Sequence, residues 1–422
     1  MGRPIGIDLF AGAGGMSLGF EQAGFDIVAA VEIDPIHCAT HEYNFPDTTT
    51  ICASVIDLTG AEIRRRAKLG TKDIDVVCGG APCQGFSLMC KRVFDDPRNQ
   101  LVFHYMRLVK ELNPKYCVFE NVKGLTLGKH AQFLEELIVA FGDAGYDVLS
   151  PYQVLNAADY GVPQDRRRLF LVGTRKGLKS PKYPEPNQNR ITVWDAIGDL
   201  PNADNFDKLW KVDTVSVEWT TTSSYGRKLR GFDPNPHDYS YQRKFDPHLL
   251  SCSLRTEHAQ SSQARFAATL QGKTESISRF RKLEPSGLCN TLRAGTDSAR
   301  GAHTSPRPIH PVFPRVITVR EAARLHSYPD WFRLHATKWH GCRQIGNSVP
   351  PLLAQAVASE LLKAQGIKPS KPKKTLILGQ DCLLSLDMGN ASKYFKVPRD
   401  TIAQRSRKIS PIEVMLPEDA YV

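Results

Sequence analysis

The sequence predicts an α/β protein: a mostly parallel, doubly wound sheet with a smaller, loop-rich second domain. Three observations predict it. From the N-terminus to about residue 173, short apolar runs alternate with amphipathic stretches, as strands joined by crossover helices do. From about 180 to 312 this periodicity weakens and Pro, Ser, Asn and Arg accumulate, a loop-rich composition. Helical patterning returns in "TVREAARLH" and "VPPLLAQAVASELLKAQ".

In chain order the strand and helix pairs are "IGIDLF" with "MSLGFEQAG", "FDIVAAVEI" with "PIHCATHEY", "DIDVVCGG" with "NQLVFHYMRLVKEL", and "KYCVFENV" with "HAQFLEELIVAFGDAG". Leu101, Tyr105, Leu108, Val109 and Leu112 share one helical face, whereas "KYCVF" is too short and too rich in β-formers for a helix. The expected division is a first domain over 1–179, a second over 180–312, and a return to the first over 313–362. "KPSKPKK" marks a linker, 363–374, to a tail, 375–422. In the tail, "NASKYFKVPRDTIAQRSRK" reads as two short helices capped by Asn390 and Asp400, with a break at Val397 and Pro398. Ala391, Tyr394, Phe395, Val397 and Ile402 fall where a helix-turn-helix buries apolar residues, leaving Arg399, Arg405, Arg407 and Lys408 outward. Lys396 occupies the turn position usually given to glycine. A hairpin docked on the first domain satisfies the same pattern, and the sequence leaves both open.

Composition narrows the setting. A chain of 422 residues, 41% apolar, supports a large core and at least two domains. No apolar run approaches the roughly 18 residues of a membrane helix, and "MGRPIGIDLF" reads as a buried strand, not a cleavable leader. The ten cysteines form no CxxC pair and no His/Cys cluster at zinc spacing, which points to free thiols in a reducing cytoplasm and to no metal. The net charge of +11 is uneven: residues 251–312 carry nine Lys/Arg against four Asp/Glu, and residues 361–422 eleven against six. Such an excess suits a polyanion such as nucleic acid, or simply a solvated surface.

"DLFAGAGGMSLGF" is a strand ending in a turn that opens a helix. Gly12, Gly14 and Gly15 let the backbone bend and bring helix N–H groups close to a ligand. Tight packing alone would also use such glycines. Glu32, at the end of the second strand and about twenty residues on, is placed to accept from a ribose diol. A nucleoside-bearing cofactor is the expectation. Gly14 and Gly15 are adjacent and residue 17 is Ser, so the spacing is not the dinucleotide GxGxxG, which argues against NAD.

"GGAPCQGFS", residues 79–87, sets Cys83 between Pro82 and Gln84 in a turn after "DIDVVC". An isolated cysteine after a buried strand is ordinarily a small core residue, the reading that suits Cys78 and Cys117. With Cys83 the chain resembles the DNA cytosine-5 methyltransferase family. Seven segments in one order carry the resemblance across most of residues 5–360: "DLFAGAGG", "VEIDP", "GGAPCQGFS", "FENV", "QDRRRLFLVG", "TVREAARLHSYPD" and "QIGNSVPP". The resemblance implies a class I methyltransferase fold, which is Rossmann-like, S-adenosylmethionine as cofactor, and double-stranded DNA whose target cytosine is flipped out.

The residue types suit that chemistry. Carbon 5 of cytosine is a poor nucleophile until a nucleophile adds at carbon 6, a task for the thiolate of Cys83, activated by its turn. Addition loads negative charge onto the ring, relieved by a proton at N3; Glu120 of "FENV" ends the neighbouring strand, and burial would raise its pKa for that role. Gln164, Arg166 and Arg168 alternate in "QDRRRLF", so in an extended segment they share a face while Arg167 points away. By resemblance, Arg168 donates to the cytosine O2 and Arg166 supports the active-site loop and transition state.

The resemblance also places Phe10 against adenine, with Ile33 beside Glu32 in the cofactor set. It puts Asp57 at the adenine amino group, although a cap on the following helix is an alternative, and Asn347 and Ser348 near the methionine end. "PCQGFSLMCKRVFDDPRNQ" is similar to a loop that closes on flipped DNA, with Gln84 and Ser87 at the gap or on phosphate; Gln164 joins the DNA set. In 180–312, read as the target-recognition domain, Thr291 of "TLRAG" falls near the flipped nucleotide's backbone, and Arg293, Arg300 and Arg307 suit groove-entering loops. A cytoplasmic monomer without membrane contact, serving beside a separately acting restriction endonuclease, fits the family. The tRNA-methylating branch and a non-catalytic DNA-binding protein on the same fold stay open, the first disfavoured by the long basic second domain and the second by the full set Cys83, Glu120, Arg166 and Arg168.

Overall fold

Strand β1 (Ile5–Leu9) leads through a glycine turn into helix α1 (Gly15–Ala23), and the same unit repeats down the first half of the computed structural model. The structure describes residues 2–81, 100–127, 130–187, 189–219, 223–295 and 307–401. β2 (Asp26–Glu32), α2 (Pro35–Asn44), β3 (Thr49–Cys52), α3 (Gly60–Arg66), β4 (Val76–Gly79), α4 (Gln100–Leu112), β5 (Tyr116–Val122) and α5 (His130–Asp143) follow. Local chemistry sets several boundaries. Asp34 caps α2 by accepting from the Ile36 N–H, with Pro35 in the first turn where no N–H is needed. Thr59 caps α3 in the same way. On α4, Tyr105, Leu108, Val109 and Leu112 are fully buried and Leu101 packs partly buried against them, the expected face.

β6 (Tyr146–Val148), β7 (Gln153–Asn156), β8 (Gln164–Asp165) and β9 (Arg167–Arg175) complete this half. The main sheet has the order β3-β2-β1-β4-β5-β9-β6, with β7 also on β9. The strands from β3 to β5 are parallel, as expected. The far edge is not: β9 is antiparallel to β5, β6 and β7. The connections among β6, β7 and β9 hold no crossover helix, which a parallel pair would need. Strand order reverses between β1 and β4, so the carboxyl ends of β1, β2, β4 and β5 open on one crevice, where such sheets bind ligands.

The remaining elements are α6 (Val193–Ile197), β10 (Val215–Ser216), α7 (Ser224–Arg230), β11 (Gln242–Lys244), β12 (Leu249–Leu250), α8 (Gln260–Ala268), β13 (Cys289–Asn290), α9 (Val319–Arg324), α10 (Lys338–Asn347), α11 (Pro351–Gln365), β14 (Thr375–Ile377) and α12 (Met388–Phe395). One apolar core lies between the sheet and α3, α4 and α5; another packs α1 and α11 on the opposite face. A third core joins Ile197, Leu229 and Leu292 to Leu325, Phe332 and Ile345, so it runs across the division drawn at residue 312. Within this third core Arg324 donates twice to Asp330 and also reaches Asp199 at 3.2 Å, all fully or nearly buried. Paired ions here do part of what apolar packing does around the sheet, which is why the sequence looks weakly periodic.

In the tail, the cap of α12 is Asp387, whose carboxylate accepts from the Asn390 N–H at 2.8 Å. Asn390, expected as that cap, is the third helical residue, because the helix begins earlier at Met388. Lys396 takes the left-handed conformation, φ 55°, that a glycine would take more easily, and closes α12. β14 pairs in parallel with β11. Ile402, Arg405, Arg407 and Lys408 of the expected second helix lie outside the described residues.

Candidate active site

The turn between β1 and α1 is sharply bent. Phe10, Gly12 and Gly14 have φ of 63°, 56° and 101°. Gly15 is needed for close approach: an added Cβ would collide with the Val349 carbonyl oxygen and stand 2.6 Å from Tyr328 Oη. Glu32, at the end of β2, accepts from the backbone N–H of Gly12 at 2.8 Å, Ile33 at 3.0 Å and Asp34 at 2.9 Å. A carboxylate has about four lone-pair positions. Three are thus committed to backbone N–H groups among the described residues, fixing the turn to the start of α2. Asp57 is exposed and stands outside the cavity lining, and Thr59, not Asp57, caps α3.

Under this turn lies a feature the sequence reading missed. Asp8 is buried in β1 and accepts from Ser17 Oγ at 2.6 Å; Ser17 Oγ lies 3.1 Å from His41 Nε2, and His41 Nδ1 lies 3.3 Å from Thr50 Oγ1. Burial pushes the Asp8 carboxyl up to about 7 and the His41 imidazole down to about 3. A charged letter inside the apolar run "IGIDL" was the available signal.

A cavity of about 520 Å³ occupies the crevice. Phe10, Gly12, Glu32 and Ile33 at the ends of β1 and β2 line it with Gly80, Glu120 and Arg168 at β4, β5 and β9, and with Asn347 and Ser348 at the end of α10. Glu120, at the end of β5, is 12% exposed and receives Arg168 Nε at 2.9 Å. A Cβ on Gly80 would stand 2.6 Å from Glu120 Oε2, so the carboxyl sits against the backbone that leads toward residue 83. Burial drives its pKa up; Arg168 and Arg166 oppose this, and burial prevails.

Along β8 and β9 the alternation is as the spacing implies. Gln164 and Arg166 are buried and Arg168 nearly so, while Arg167 is exposed. Arg166 donates to the carbonyls of Leu292, Gly346 and Ser348, each at 2.8 Å, and so joins the chain at Leu292 to the end of α10. Gln164, expected among DNA contacts, has no exposed surface. Its carbonyl accepts from the Leu292 N–H, and its amide donates to Leu325 O and lies 3.0 Å from His326 Nδ1. The structure places Gln164 in the scaffold, because every polar group it has is engaged internally. His326, which the sequence reading passed over in "ARLHSYPD", is held neutral by burial, accepts from Gln164 at Nδ1 and donates from Nε2 to Ser348 O.

Thr291 Oγ1 donates to Asp165 O at 2.7 Å, Arg293 is exposed, and Arg307 donates to Thr256 Oγ1. Cys83, Gln84, Ser87 and Arg300 lie outside the described residues. Cys78 and Cys117 are fully buried core residues. Among the described residues no group of three or more His, Cys, Asp or Glu could hold a metal ion, and no helix is long and apolar enough to cross a membrane.

The doubly wound sheet, with its crevice at the carboxyl ends of the strands, is the fold of class I methyltransferases. Residues 6–363 match the model of the C-5 cytosine-specific DNA methylase family. The chain belongs to that family and is a DNA (cytosine-5) methyltransferase. It is 63% identical over 409 residues to the Type II methyltransferase M.XorII of Xanthomonas oryzae pv. oryzae, covering 97% of this chain and 96% of that protein. Against the Type II methyltransferase M1.HphI of Haemophilus parahaemolyticus the identity is 35%, over 85% and 86% of the two chains. Among solved structures, a prophage-encoded E. coli protein described as a DNA modification methyltransferase superposes with a TM-score of 0.71 at 36% identity, covering 86% of this chain and 99% of that one.

Proposed function

We propose that the protein methylates carbon 5 of cytosine within a specific duplex DNA sequence, with S-adenosylmethionine as donor, through a covalent adduct between Cys83 and a flipped-out base. The carrying observation is Glu120: a buried, raised carboxyl at the end of β5, against Gly80 and beside Arg168. The crevice fits the cofactor, since the Glu32 carboxylate and the Phe10 ring line it and a Cβ on Gly12 would meet no atom within 4 Å. S-adenosylmethionine, when bound, supplies an electrophilic methyl group.

Cys83, as thiolate, adds to carbon 6; the electron pair of the 5,6 double bond moves into the ring toward N3, where Glu120 delivers its proton. Arg168 steadies the carboxyl and donates to the cytosine O2, holding developing charge with a fixed cation. Once carbon 5 carries the methyl group and loses its proton to a base, the double bond reforms, the Cys83 thiolate leaves, and Glu120 recovers its proton from N3. Arg166 and Gln164 position these groups without touching the base.

The segment 180–312 reads the target sequence. Support comes from Arg166, which grips Leu292 beside Thr291 and Arg293, so recognition loop and active site move together. The Type II relatives support service beside a restriction endonuclease of the same specificity. Two assays test the reading: labelled methyl transfer to duplex DNA and to tRNA, and trapping on duplex DNA containing 5-fluorocytosine, whose fluorine blocks the elimination. The wild type should label DNA alone and be trapped, and Cys83→Ala should do neither. Methylation by Cys83→Ala at the wild-type rate would falsify the mechanism.

A further inference from the structure

The family match stops at residue 363, yet the chain continues across the outside of the crevice. Leu383 and Leu384 pack on Ala39 and Tyr43 of α2, with Leu378, Leu386 and Phe395 alongside. Polar contacts fix the register: the Gly379 N–H donates to Tyr43 O at 2.9 Å, and Tyr394 Oη donates to Glu42 Oε1 at 2.6 Å. The same stretch also grips the chain just before α10. The Ala336 N–H donates to Leu384 O at 2.8 Å, and His335, accepting from the Thr337 N–H at Nδ1, donates from Nε2 to Leu386 O at 3.1 Å. α2 begins at Pro35, three residues after Glu32, and α10 ends at Asn347. These helices therefore carry opposite walls of the crevice, bridged at their cavity side by Arg343 and Asp34, 3.2 Å apart. Beyond α12 the chain turns back so that Thr401 itself lines the cavity, with Ile33, Asp34 and His37.

We propose that residues 375–401 form a strap that holds these two walls at the spacing the cofactor requires, with Thr401 contributing to the cavity rim. The strap is a positioning element: it acts through α2 and α10, and through Thr401 on the nucleoside end of the crevice. This rests on the reading of the crevice as the S-adenosylmethionine site. It assigns the tail to cofactor affinity, where a helix-turn-helix would assign it to DNA affinity.

Steady-state methylation with separate titration of cofactor and duplex DNA tests it, together with calorimetric binding of S-adenosylhomocysteine. Three variants are compared with the full chain: deletion of 375–422, Leu384→Ala to loosen the strap, and Thr401→Trp to crowd the rim. The expected result is a rise in cofactor KM of about tenfold for the deletion and about fivefold for Thr401→Trp, with kcat at saturating cofactor and DNA KM within about twofold of wild type. Leu384→Ala should fall between wild type and the deletion. Should the deletion fail to fold, the two full-length substitutions decide. Unchanged cofactor KM in both overturns the proposal, as does a rise in DNA KM alone. Failure of the wild-type chain to bind S-adenosylhomocysteine would instead overturn the reading of the crevice itself.

Discussion

At Glu120, burial raises the carboxyl pKa while Arg168 and Arg166 pull it down, and the net direction is upward. A carboxyl raised in this way keeps its proton to higher pH than an ordinary glutamate does and can give it to N3. Replacing it by Gln keeps shape and removes the proton. Glu120→Gln should lower kcat by about 10² to 10⁴, with S-adenosylhomocysteine affinity kept within a few-fold; single-turnover rates and calorimetry check both halves. Asp8 carries a second pH-dependent term. Its pKa rises from an ordinary 3.8 to about 7 because burial disfavours the charged form. The sign follows: the stability this group provides is complete below about 3.8 and is lost as pH rises through about 7. Asp8→Asn cannot ionise, so between pH 4 and 8 the variant should gain on wild type by about 4 kcal/mol. Urea unfolding at several pH values measures this, and parallel pH profiles for the two proteins would contradict it.

Among the elements, the join between β9 and the loop after α10 depends on Arg166. Its three 2.8 Å bonds end on the carbonyls of Leu292, Gly346 and Ser348, from two separate stretches of chain. A planar guanidinium serves three acceptors at fixed angles, which a lysine ammonium on a flexible stem does not. Arg166→Lys should therefore cost about 3 kcal/mol of stability through partly orphaned buried carbonyls. It should also slow methylation, since Ser348 and the chain at Leu292 lose their common anchor. Thermal unfolding and kcat measured together test this; a loss of activity without a loss of stability would point to direct contact with substrate. The turn of β1 into α1 has its own weak point. Gly15→Ala would drive a methyl group against the Val349 carbonyl, a backbone atom that cannot swing aside, at a cost of about 1–3 kcal/mol.

For the whole molecule, the packing of residues 180–312 bears on whether sequence specificity can be transplanted with them. The third apolar core spans residues from both sides of 312, so a segment cut at 180 and 312 carries only part of its packing. Exchange of 180–312 with the equivalent segment of a related enzyme should move the methylated sequence with it, as read by bisulfite sequencing. Stability should fall, because Leu325, Phe332 and Ile345 then meet foreign partners. Unchanged specificity in a folded chimaera would remove the target-recognition role from this segment.

The chain order of strands, the glycine turn, the buried face of α4 and the positions of Glu32, Glu120 and Arg168 were legible in the sequence. Each depends on local periodicity or on a short segment whose chemistry is complete within a few residues. Other features required the fold. Gln164 shares a face with Arg166 and Arg168, as the alternation states, but only Leu292, Leu325 and His326, over a hundred residues away, consume its polar groups. The antiparallel edge at β9, the first cap of the tail at Asp387, and the docking of Leu383 and Leu384 on α2 likewise depend on partners distant in sequence. The sequence by itself determined which groups can do the chemistry, because reactivity belongs to residue type and local spacing. Only the tertiary structure decided which of them face the crevice and which are spent holding it, because burial and hydrogen-bond partners are set by chain segments that no local pattern records.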